Sequence, residues 1–315
     1  METSVWLWVG FNAFVLLLLA FDLGVFRRKS REISVREALW LSAGYVGLAL
    51  AFNVGVFWFR GPQQGLEFLT GYLIEKSLSL DNVFVIALIF STFAVPPAYQ
   101  HRVLFWGILG ALVMRAVLIF AGAALVMEFR WIVYLFGAFL IATGIKMLLS
   151  VGKRPDIRAS AVVRFVKHRF RVTEDYEGER FWVRRGGQLY ATPLFLALVM
   201  VEATDLVFAV DSIPAIFAIT ADPFIVYTSN VFAILGLRAL YFALAGIIDR
   251  FRYLKHGLSL VLVLVGIKMM LVDVWKIPTG VALGATVAII GGSILLSLWQ
   301  TREHAVASGC RRAES

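Results

Sequence analysis

Glu75-Lys76-Ser77-Leu78-Ser79-Leu80-Asp81-Asn82 runs straight into Val83-Phe84-Val85-Ile86, inside an apolar stretch over residues 66–94. A second apolar stretch, 191–220, holds Glu202-Ala203-Thr204-Asp205 and Asp211-Ser212-Ile213-Pro214. Each is longer than the roughly 20 apolar residues a helix needs to cross a bilayer. A charge in hydrocarbon is costly unless it is paired or hydrated. Five acids in two such runs therefore call for a function, and a cation pathway is the first to consider.

The rest of the chain has the same character. Of its 315 residues 60% are hydrophobic and only 16% charged, where a soluble domain carries roughly 25% charged residues. Mean hydropathy is +0.82. Nine candidate spans follow, near 5–26, 38–59, 66–94, 102–127, 131–150, 191–220, 224–248, 254–276 and 279–300. A lipid-exposed backbone must satisfy its own hydrogen bonds, so all nine are expected as helices. The expected fold is an all-α, polytopic membrane protein with nine transmembrane helices in a single membrane domain, 1–315.

The net charge of +9 is not a nucleic-acid footprint, because the basic residues sit in short connections between spans. Arg27, Arg28, Lys29, Arg31 and Arg36 follow the first span, ten more lie between Lys153 and Arg185, and Arg250, Arg252 and Lys255 follow the seventh. The opposite side holds Arg60, Arg130 and Lys276. Positive charge stays inside, which predicts an external N-terminus and a cytoplasmic C-terminus. The N-terminal apolar run reads as a first span and not a leader. Cys310 is the single cysteine, so neither a disulfide framework nor a thiolate metal cluster is expected. Segment 151–190 is a basic cytoplasmic loop lying against anionic lipid. Within it, a short basic helix is expected over 159–170 and a hairpin over 181–190, turning at Gly186-Gly187.

Three motifs recur in order. Asp81-Asn82-Val83-Phe84 returns as Asp205-Leu206-Val207-Phe208, and Ile108-Leu109-Gly110 as Ile234-Leu235-Gly236. Gly144-Ile145-Lys146-Met147 returns as Gly266-Ile267-Lys268-Met269. Spans three to five (about 66–150) thus match spans six to eight (about 191–276), and the two triplets enter from opposite sides. Such an inverted repeat places a transporter's site near the midplane.

Glu75 and Asn82 share a helix face, as do Glu202 and Asp205. Asp211 stands about 120° away from Asp205 on an ideal helix, as a ligand or as a gate. Pro214 can kink its span, Ser77 and Ser79 make the matching part of span three polar, and a break in either helix would swing the acids together and free carbonyl oxygens as ligands. Carboxylate, amide and hydroxyl oxygens suit hard cations such as Mn²⁺, Mg²⁺ or Ca²⁺. The histidines lie outside the spans, which argues against zinc or copper. The competing expectation is that the acids only neutralise the intramembrane bases Lys76, Arg115, Lys146, Arg238 and Lys268.

Gly71-Tyr72-Leu73-Ile74-Glu75-Lys76-Ser77-Leu78-Ser79-Leu80-Asp81-Asn82-Val83-Phe84 resembles the first signature of the TerC family. Phe208-Ala209-Val210-Asp211-Ser212-Ile213-Pro214, followed by Asp222-Pro223-Phe224 and Thr228-Ser229-Asn230, resembles the second. Within that family the chain is most similar to the Alx branch. The resemblance implies manganese export across the bacterial inner membrane, despite a family name taken from tellurium resistance. It also implies that Glu75, Asp81, Glu202, Asp205 and Asp211 are required, with Asn82 beside them. The expected role is then a transporter with Mn²⁺ as cargo, no prosthetic group and no enzyme activity. The alternative is a non-transporting scaffold or metal-sensing component of a metal or tellurite stress system. An intramembrane aspartyl protease is disfavoured, since neither Asp81 nor Asp211 sits in a Gly-x-Gly-Asp motif.

Overall fold

Where the chain is apolar and free of internal breakers, its backbone closes on itself as helix. The computed structural model describes residues 5–27, 34–129, 131–149, 157, 160–244, 253–275 and 277–313. Its helices are α1 (Val5–Arg27), α2 (Val35–Arg60), α3 (Pro62–Phe93), α4 (Pro97–Glu128), α5 (Ile132–Leu149) and α6 (Ala161–Arg169). After the hairpin β1 (Trp182–Arg185) and β2 (Gln188–Ala191) come α7 (Pro193–Phe217), α8 (Pro223–Leu235), α9 (Leu237–Leu244), α10 (Leu254–Met270) and α11 (Thr279–Ala313). Pro62, Pro97, Pro193 and Pro223 each open a helix, where a missing N–H costs nothing.

Large apolar side chains cover the outside. Leu17, Trp58, Val117, Val207 and Leu295 are all more than half exposed, which suits a surface that meets lipid. Among the described residues, six helical segments are long and apolar enough to cross a membrane. The chain is an all-α membrane protein.

α8 forms the centre. Every residue from Phe224 to Leu235 is buried, against α2, α3 and α4. Trp8 and Phe11 of α1 reach this core through rings of Phe52, Phe120, Phe224, Tyr227 and Phe232. α7 packs on both α3 and α4 beside it. α5 and α10 form a second unit. A Cβ on Gly137 would lie 3.0 Å from the Gly266 carbonyl oxygen, and one on Gly144 would lie 2.8 Å from that of Ser259. The two helices therefore run antiparallel with their backbones nearly touching, as small residues permit in membranes.

The structure departs from expectation in three places. α3 is unbroken, because the Ser77 and Ser79 hydroxyls donate to the carbonyls of Leu73 and Glu75 within the helix. α7 continues past Pro214 to Phe217, since the proline lies in its last turn, where few bonds remain to lose. The break falls in the seventh stretch, where Gly236 separates α8 from α9. The Lys76 ammonium donates to the Ala233 carbonyl there, at 3.3 Å.

The loop holds what its sequence foretold. Gly186 and Gly187, at φ +56° and +79°, form a turn between paired Arg185 and Gln188, the geometry of a tight hairpin. α6 is capped by the Ser160 hydroxyl and buries Val163 and Val166. Tyr176 donates to the Phe93 carbonyl at 2.8 Å, tying the loop to the end of α3. Burial pushes that phenol up to about 12, so it remains a donor at neutral pH. Arg28, Lys29, Arg31, Lys153, Arg154, Arg158, Arg250 and Arg252, on which the charge bias partly rests, lie outside the described residues. So do Arg130 and Lys276.

Candidate functional site

Arg115 stands midway along α4 and is 1% exposed. A guanidinium buried this deeply needs acceptors for its five N–H groups. Its Nε and Nη2 donate to the two carboxylate oxygens of Asp205 at 3.0 and 2.9 Å. Its Nη1 pairs with Glu75 and reaches Ser212 Oγ at 3.4 Å and Asn230 Oδ1 at 3.3 Å. Asn82 adds a donor to Asp205 at 3.4 Å. Residues from α3, α4, α7 and α8 thus converge on one cation, and that cation is a side chain.

Beside this cluster lies a cavity of about 30 Å³. Its polar lining is Glu75, Asp81, Asn82, Arg115, Asp211 and Ser212, and its apolar wall includes Leu78, Met147, Phe208 and Leu262. The volume suits a bare cation or a water molecule. Asp81 is buried and faces the charge of Lys255, whose ammonium sits 4.3 Å from the centre of the Phe84 ring. Asp211 is half-buried, accepts a hydrogen bond from Thr143 and feels the charge of Lys146. Glu75 Oε2 and Asn82 Oδ1 are buried without a hydrogen-bond donor. Such acceptors are rare in folded proteins and need an explanation.

Of the six expected site residues, Glu75, Asp81, Asn82 and Asp211 share this cavity. Asp205 lies behind Arg115, against a smaller void of about 10 Å³ lined by Asn82, Thr204 and Leu237. Glu202 is apart: its carboxylate fills the notch left by Gly110 on α4, and its buried Oε2 has no hydrogen-bond partner. A methyl at residue 110 would meet that carboxylate. Gly110→Ala is therefore expected to displace the Glu202 carboxylate, which can turn away because it is the end of a flexible side chain, and to change stability, read from the unfolding midpoint in detergent, by less than about 1 kcal/mol.

Asp211 thus belongs with Asp81, although the two come from different helices and a helical wheel of α7 alone leaves its partner open. Ser212 and Asn230 enter the site although the sequence reading assigned them no part in it, and Arg115, expected there only as a base for the acids to neutralise, stands at its centre. The competing expectation, that intramembrane acids pair with intramembrane bases, describes Glu75 and Asp205, because α4 carries Arg115 between α3 and α7. Among the described residues, no three His, Cys, Asp or Glu side chains converge as a ready metal site.

Fold and site together define an integral membrane protein of helices around a buried charge cluster. Residues 60–305 match the family model described as integral membrane protein TerC family, and the chain belongs to that family. It is 53% identical over 302 residues to an uncharacterised membrane protein of Myxococcus xanthus, covering 96% of this chain and 94% of that one. It is 49% identical over 307 residues to a protein of Salmonella typhi provisionally named membrane-bound redox modulator Alx, covering 95% of each. The protein of that name in Escherichia coli (strain K12) is 48% identical over 307 residues, covering 95% of this chain and 96% of its own. No solved structure matches the chain.

Proposed function

We propose that this protein is a transporter, not an enzyme, that exports Mn²⁺ or a similarly hard divalent cation across the bacterial inner membrane. The observation that carries the proposal is the oxygen-lined cavity between α3 and α7. Glu75, Asp81, Asn82, Asp211 and Ser212 all face it, and two of their oxygens lack donors. Mn²⁺ takes about six oxygens, so these groups and a water would suffice.

The proposed membrane arrangement has nine spans, with α8 and α9 together forming the seventh, an external N-terminus and a cytoplasmic C-terminus. The triplets α3–α5 and α7–α10 would be inverted copies. Helix ends support this. α3 ends twelve residues after Asp81, and α7 twelve after Asp205. Pro97 opens α4 eleven residues before Ile108, and Pro223 opens α8 eleven before Ile234. Gly144 and Gly266 each stand twelve residues beyond the start of their helix.

Everted membrane vesicles test the transport. Mn²⁺ uptake by vesicles carrying the wild-type chain should exceed that of empty vesicles, and Asp81→Asn should lose at least nine-tenths of the excess. Equal uptake by wild type and Asp81→Asn would sink the assignment. The second reading is a non-transporting component of a stress or redox system, in keeping with the name its relatives carry. The Arg115 pairing favours it, since a guanidinium alone can explain Glu75 and Asp205. That reading predicts no flux in any variant.

A further inference from the structure

Glu75 and Asp205 come from separate helices, yet one side chain holds both. Arg115 uses all three of its nitrogens on them, Nε and Nη2 on Asp205 and Nη1 on Glu75. The same Nη1 also has neutral acceptors in Ser212 and Asn230, at longer range. Glu75 lines the cavity, and its other oxygen has no hydrogen-bond donor among the described residues. The guanidinium and a cation in the cavity thus compete for one carboxylate. Two positive charges on one buried carboxylate repel strongly at low dielectric.

We infer that Arg115 is a tethered counter-ion that the cargo cation must displace, and that its return to Glu75 and Asp205 expels the cargo. This rests on the transport reading above. Guanidinium is permanently charged and presents a fork of donors, so it pairs with both acids without needing a proton and offsets one of their two negative charges. Asn230 offers it an uncharged acceptor while the cation occupies Glu75 and the cavity's other oxygens. Binding is therefore weakened by the competition, and release is assisted by it.

Mn²⁺ alone, titrated calorimetrically into the full-length protein in lipid nanodiscs, tests the inference together with vesicle flux. Arg115→Gln removes the competing charge. It should bind Mn²⁺ at least tenfold more tightly than wild type and transport it at least tenfold more slowly. Arg115→Lys keeps a charge that holds one carboxylate at a time, and should bind at least threefold more tightly. A merely structural arginine predicts the opposite, since a disrupted site binds more weakly. Equal or weaker binding by Arg115→Gln, or by Arg115→Lys where the glutamine variant does not fold, would overturn the inference while wild-type binding and flux leave transport intact. A wild-type chain that neither binds nor moves Mn²⁺ would overturn both.

Discussion

Asp205→Ala is expected to destabilise the protein by about 3–5 kcal/mol, the cost of leaving two buried, charged donors of Arg115 without acceptors while Glu75 alone still offsets its charge. Arg115 would lose two of its shortest hydrogen bonds, and Asn82 the acceptor of its amide. Water cannot take their place easily, because Arg115 is almost wholly enclosed. The same change should abolish cation transport. The chemical unfolding midpoint of the purified protein in mild detergent, beside that of Leu206→Ala on the lipid-facing side of the same helix, measures the effect. A difference below about 1 kcal/mol between the two variants would mean that the pairing contributes no more than a surface salt bridge does.

Gly266→Val should have the next largest effect, about 3 kcal/mol, the upper part of the usual range for overpacking. A Cβ there would lie 2.8 Å from the Gly137 carbonyl oxygen and 3.0 Å from the Ile141 amide nitrogen. Both are backbone atoms, so no rotamer change can make room, and α5 must move away from α10. Gly284→Val in α11 is the control, since nothing lies within 4 Å of its Cβ position. Thermal unfolding followed by circular dichroism should lower the midpoint strongly for residue 266 and little for residue 284. Similar midpoints would show that the close approach of α5 and α10 is not needed.

The helices were legible because length and hydropathy act locally. Pro62, Pro97, Pro193 and Pro223 mark their starts, and Gly186-Gly187 requires a turn that only a hairpin satisfies. The acids were legible as exceptions to a rule about lipid. That Arg115 could hold a carboxylate was legible, but which acids it holds was not, because its pairing depends on which helices α4 touches, and that is set by packing across 40 residues to Glu75 and 90 to Asp205. Gly236 gave no warning of a break, since glycine is common in membrane helices. Ser77 and Ser79 pointed the wrong way for a local reason: a hydroxyl that bonds within its own helix adds polarity without loosening the backbone.

The glycine contacts between α5 and α10 have a consequence for the cavity. Met147 of α5 and Leu262 of α10 also line it, so part of its wall belongs to a two-helix slab whose members are locked backbone to backbone. The carboxylates belong to the neighbouring slab, built on α3 and α7. The cavity is the seam between them. Parting the slabs along that seam would open the cavity, and it would also take Thr143 and Lys146 of α5 away from Asp211 and Lys255 of α10 away from Asp81, so the polar pairs across the seam act as its latch.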